Sequence, residues 1–170
     1  MAGLTVHLMD ANHCLATYGP LFFALWGEET TRDGVEPIVS LGKTLASAYP
    51  AGILSLSVVA SNSRPPSSEV RALIASTIHA LKNVKRSAVV VDGTGFLAAM
   101  VRGVVTGLQA LQRAPYPHQV FGSVDVAIGW LLDGLAKDSP GRPSAIELLD
   151  AVRSAQAQFD EHRKARRAAR

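Results

Sequence analysis

The run Ser87-Ala88-Val89-Val90-Val91 reads as a buried strand that breaks at Asp92-Gly93-Thr94-Gly95 into a long helical pattern, Phe96 to Leu111. A second short strand, His118-Gln119-Val120-Phe121, then feeds a helix over Val124 to Leu135. Parallel strands cannot be joined by a tight hairpin and need a crossover, so a β-α-β-α run implies helices packed on a sheet with parallel neighbours. This feature fixes the fold class as α/β.

Upstream, Leu4 to Met9 alternates with period two and meets a turn at Asp10-Ala11-Asn12, after which Cys14 to Trp26 is interrupted by Gly19-Pro20. Two short strands or one bulged edge strand satisfy that pattern, and the sheet is expected to begin antiparallel. Asp33 offers an N-cap with Glu36 three residues later, opening a helix to Pro50 with Pro37 in its first turn. Ile53 to Val59 is a β-branched and leucine-rich run suited to a central strand, and Ala60 to Pro66 is a loop by composition. A clear amphipathic helix follows, with Val70, Leu73, Ile74, Thr77, Ile78, Leu81 and Val84 on one face, Ser67 or Ser68 to cap it and His79 off the stripe, where a solvated ring is expected.

Ala114-Pro115-Tyr116-Pro117 ends the Phe96–Leu111 helix, and Ser144 with Glu147 forms a capping-box pattern before a last amphipathic helix. The expected domains are an α/β unit over 1–136, a linker over 137–143 and a C-terminal helix with a basic tail over 144–170. That helix either folds back on the domain or meets a partner. The stripe Ala99, Gly103 and Gly107 fits tight packing, with a homodimer contact as its alternative.

At 170 residues, 48% hydrophobic and 18% charged, the chain suits one compact domain. A single cysteine, Cys14, excludes an internal disulfide and fits a reducing compartment, with a buried structural thiol as the default. The start of the chain has no basic stretch ahead of an apolar one, and nothing approaches the ~18 consecutive apolar residues of a membrane span. A soluble cytoplasmic protein is expected. The net charge of +3 is localised: Arg163, Lys164, Arg166, Arg167 and Arg170 cluster at the end with Glu161 as the only acid, leaving the rest slightly acidic. A tail of this kind reads as a solvated helix end, and nucleic acid is not an expected partner.

The segment Arg86 to Gly93, with the closing run Gln119-Val120-Phe121-Gly122-Ser123-Val124-Asp125-Val126-Ala127-Ile128-Gly129-Trp130-Leu131, resembles the SpoIIAA-like branch of the STAS/SEC14-like proteins. The shared pattern is a short strand leading to Phe, then an acidic residue, Ala and a Trp-Leu pair, and the resemblance spans roughly Leu4 to Leu135. It implies a STAS-type mixed sheet with an antiparallel N-terminal hairpin, parallel βαβ units and an extra C-terminal helix. It also implies a non-enzymatic regulatory module of bacterial type that works through a protein partner. That family's phosphorylation switch sits in an Asp-Ser-Ser-Gly-type turn. Here the turn is Asp92-Gly93-Thr94-Gly95, with Gly93 at the acceptor position and Thr94 as the one available hydroxyl.

The alternative is a sensor or enzyme for a small polar or anionic ligand. Ligands of open α/β sheets bind beyond the carboxyl ends of parallel strands, which selects Ser61, Asn62 and Arg64 on one loop and Asp92, Gly93, Thr94 and Gly95 on the next. Gly93-Thr94-Gly95-Phe96-Leu97-Ala98 also fits a dinucleotide fingerprint, but no second mononucleotide half follows it. No cofactor is expected. The five histidines are scattered, no nucleophile elbow or His-Glu-x-x-His pair occurs, and His13 beside Cys14 lacks further metal ligands, so no catalytic or metal residue is assigned.

Overall fold

A computed structural model of the chain describes residues 3–91, 103 and 114–169. The expected strand-to-helix turn at Asp92–Gly95, its Thr94 hydroxyl and the Phe96–Leu111 helix fall outside the described residues.

Six strands form one mixed sheet in chain order: β1 (Thr5–Met9), β2 (His13–Tyr18), β3 (Leu21–Trp26), β4 (Ile53–Val59), β5 (Val84–Val91) and β6 (His118–Phe121). The β1–β2 and β2–β3 pairings are antiparallel and the next three are parallel. Gly19-Pro20 thus separates two strands, and Ile53–Val59 is a central strand between β3 and β5.

Five helices complete the described fold: α1 (Arg32–Val35), α2 (Pro37–Ala48), α3 (Ser68–Ala80), α4 (Val124–Leu132) and α5 (Ala145–Ala168). Period-two alternation sorts the strand residues to two faces. On one face Leu21, Phe23, Leu54, Leu56, Ala88 and Val90 pack with residues of α4 and α5, while on the other Phe22, Trp26, Val59, Val89 and Val91 meet residues of α1 and α2. Helices α2 and α3 share a face, with Ile38 and Leu45 of α2 in one apolar cluster with Val70, Leu73 and Ile74 of α3.

The expected N-cap at Asp33 is corrected. Helix α1 starts two residues earlier than a cap at Asp33 would set it, after an extended Thr31, and stops at Glu36, beyond which Pro37 opens α2 as its first residue. Glu36 does not reach back to a cap because Arg32 takes its carboxylate at 2.8 Å, and Arg32 also binds Glu69 at the start of α3. Gly34 sits where the backbone passes His13; a Cβ there would lie 2.5 Å from the ring. Helix α3 begins as expected, with Ser67 Oγ accepting from the Val70 amide and His79 exposed.

The segment expected as a linker consists of turns, Ser139 N to Ala136 O and Arg142 N to Ser139 O, with the Arg142 guanidinium donating to Leu132 O at 3.2 Å. Ser144 and Glu147 form the full capping box, and Leu148, Val152, Ala155 and Phe159 of α5 are buried in the core beneath β2 and β3. The helix therefore folds back on the sheet. Phe121, Ala127 and Leu131 of the closing motif are buried, and Trp130 stacks against Phe121 at 5.4 Å with Arg86 over its other partner surface at 4.8 Å.

Candidate functional site

On the α2–α3 face the parallel register aligns Phe22, Ser55, Ser87 and His118 in one row across β3 to β6. The next row on that face is Ala24, Ser57, Val89 and Val120. Three serines and a histidine thus interrupt a sheet face that is otherwise apolar. Above them is a hollow of about 130 Å³, walled by Val35 and Ile38 from the first helices, Ile74, Thr77 and Ile78 from α3, and Tyr116 ahead of β6. It runs to the carboxyl edge of the sheet, where Thr30, Ser63 and Arg64 line it.

The polar groups of this hollow are not used up by the fold. Nδ1 of His118 and Oγ of Ser63 are buried without hydrogen-bond partners. The hydroxyls of Ser55, Ser57 and Ser87 have no partner among the described residues. An unsatisfied buried polar group costs on the order of 1–3 kcal/mol, so the His118 Nδ1 and Ser63 Oγ atoms are retained against the interest of stability. Burial pushes the His118 imidazole down to about 4, which keeps the ring neutral near pH 7 with one nitrogen to donate and one to accept. Tyr116 Oη donates to Ile78 O at 3.2 Å and ties the start of β6 to α3, and burial raises its own pKa to about 12. Among the described residues the lining carries one formal charge, Arg64, which is mostly exposed and paired with Glu29 at 3.2 Å.

Of the residues singled out in the loop after β4, the structure brings Arg64 to the mouth of this hollow together with its neighbour Ser63. Ser61 and Asn62 are exposed, and Ser61 lines a separate hollow beside Phe159 and Asp160. Asp92, Gly93, Thr94 and Gly95 lie outside the described residues. The serine row and His118 were absent from the sequence-based candidates. A signal existed: Ser55 and Ser57 stand two apart in a strand otherwise apolar on both faces, which places both hydroxyls on one side.

A second polar constellation has the order of a catalytic triad. Asp10 Oδ2 lies 2.9 Å from His13 Nδ1, and His13 Nε2 lies 2.8 Å from Thr31 Oγ1. His13 is buried edge-on to Trp26, Gly34 closes over its ring, and Thr31 lines none of the hollows described here. The chain of bonds ties the β1–β2 turn to the start of α1. Partial burial works to raise the Asp10 carboxyl, but hydrogen bonds from the Asn12 and His13 amides and the His13 ring outweigh it and hold its pKa low. Cys14 is fully buried, and burial pushes its thiol up to about 11. Among the described residues no group of three or more His, Cys, Asp or Glu is placed to hold a metal, and no helix is long and apolar enough to cross a membrane.

Sheet and hollow together define a mixed α/β domain with a partly polar interior cavity. Comparison with protein-family models, with curated proteins and with solved structures finds no match for the chain.

Proposed function

We propose that the chain is a small-molecule sensor domain whose ligand occupies the hollow over the Ser55–Ser87–His118 row. The observation that carries this reading is the unpartnered Nδ1 of His118, buried beside unpaired serine hydroxyls in a cavity with apolar walls. The ligand is uncharged, since among the described residues the floor offers hydroxyls and a neutral imidazole, and it combines an apolar body with one or two hydrogen-bonding groups. Its size is that of a single ring: a cavity of about 150 Å³ accommodates benzene, and this one has about 130 Å³.

We read the domain as non-enzymatic; among the described residues the serine hydroxyls of the hollow are not hydrogen-bonded to a base. The SpoIIAA-like resemblance of the closing segment supports a regulatory setting, in which an occupied and an empty cavity are read by a partner protein. A thermal-shift screen with single-ring alcohols, phenols and amides tests the reading. A ligand at 100 times its Kd adds about 2.7 kcal/mol, and thus a shift of about 5–10 °C for a chain of this size. The shift disappears in Ser57→Leu, whose larger side chain fills the hollow. No shift with any ring compound, or an equal shift in the filled variant, overturns the reading.

A further inference from the structure

Of the C-terminal basic residues, Lys164, Arg166 and Arg167 are exposed, as a solvated helix end expects, while Arg163 is partly buried. Helix α5 continues to Ala168, and its last two turns stand against the β1–β2 turn and the Glu28–Glu29 loop at the carboxyl edge of β3. Between them is a cleft of about 380 Å³ whose charged lining is Arg64, Arg163, Arg166, Arg167, Glu28 and Glu29.

Arg163 is the informative residue. Its side chain is only 17% exposed, lies over the Phe159 ring at 5.5 Å and borders Gly27 so closely that a Cβ there would be 3.4 Å from the guanidinium carbon. Its nearest carboxylate oxygen, on Glu28, is 3.6 Å away, too far for a hydrogen bond, and that oxygen is already bonded to Arg167. A guanidinium has five N–H donors, and Arg163 makes no hydrogen bond among the described residues. Arg166, on the same cleft, has no carboxylate partner among them either. Donors in this state are matched by an acceptor with several oxygens in fork geometry.

We infer that this cleft binds the phosphate group of a small molecule. Four guanidinium groups against two carboxylates leave a local charge of about +2, the complement of a phosphate monoester near neutral pH. Glu28 and Glu29 on the rim oppose a polyanionic backbone, which favours a compact ligand over nucleic acid. The inference does not depend on the cavity over the serine row, although Arg64 lines both hollows.

The test is a titration of the full chain with inorganic phosphate, followed by amide NMR shifts at Asn12, Gly27 and Arg163. Saturable shifts are expected that weaken with added sodium chloride. Arg166→Gln, a change at an unpaired surface side chain, should weaken binding about tenfold, in line with the loss of one charge-assisted hydrogen bond. Glu28→Gln should tighten it by removing a competing carboxylate. Arg163→Gln should abolish it, with the amide spectrum of β1 to β6 retained as the check on folding. Absence of saturable shifts in the wild type, or affinity unchanged in both Arg166→Gln and Glu28→Gln, overturns the inference. So does binding of a single-stranded oligonucleotide without competition by phosphate.

Discussion

Cys14 and His118 show how one physical cause, burial, gives opposite chemical consequences. For Cys14 it removes reactivity: with its pKa raised to about 11 and no exposed surface, the thiol should resist a thiol-specific reagent in the native state. It should react on unfolding, which a timed labelling experiment reads directly. For His118 burial depresses the pKa to about 4, so the unfolded chain takes up the proton first as pH falls through its ordinary value of 6.5. Stability from the neutral ring is therefore fully present above about pH 6.5 and lost progressively down to about pH 4, an effect of about 3 kcal/mol. Urea unfolding at both ends of that window should show the loss in the wild type and a much smaller one in His118→Leu. The serines carry a matching prediction. Ser87→Val replaces an unpaired hydroxyl by two methyl groups on a strand, so it should raise stability by about 1 kcal/mol while removing ring-ligand binding. A Ser87→Val protein that is less stable would indicate that the hydroxyl has a partner.

At the scale of elements, the caps and periodicities that depend on a few adjacent residues were legible, and the alignments that depend on distant ones were not. Ser144 with Glu147 and Ser67 with Val70 form the caps their sequences expect, because each partner lies three residues away. Asp33 fails as a cap because Arg32 captures Glu36 and reaches Glu69, a residue 37 positions on that no local pattern contains. The polar row is illegible for a stronger version of the same reason. Ser55, Ser87 and His118 become neighbours only once β4, β5 and β6 are in register, and in the chain they are separated by whole helices. The α3 stripe is inward-facing, with Ile74 and Ile78 partly buried where they roof the hollow, but it stops short of the expected Val84: the helix ends at Ala80, Asn83 turns the chain with φ 60°, and Val84 opens β5. Helix α5 yields a quantitative expectation: Ser144→Ala breaks the capping box and should cost about 1 kcal/mol. Leu148→Ala, at a fully buried site in the core, should cost about 2–5 kcal/mol, and chemical denaturation distinguishes the two.

Across the whole molecule, the sheet divides labour between its faces. One face packs α4 and α5 tightly through Ile128, Leu131, Leu148 and Val152, all essentially inaccessible. The other leaves a cavity with unpaired polar atoms and opens at the carboxyl edge, the place where parallel α/β sheets hold ligands. The basic end of α5 is brought to that same edge by the packing of Phe159, so charge remote in sequence lies beside Arg64. Contact between the row of Ser55, Ser87 and His118 and a small uncharged ligand is read by the ring ¹⁵N spectrum of His118 during titration with phenol at neutral pH. A neutral imidazole is expected throughout, with a saturable shift of its ring nitrogens as a new hydrogen bond forms and loss of that shift in Ser57→Leu. Ring nitrogens that do not move while phenol is added, or that move equally in Ser57→Leu, would contradict it.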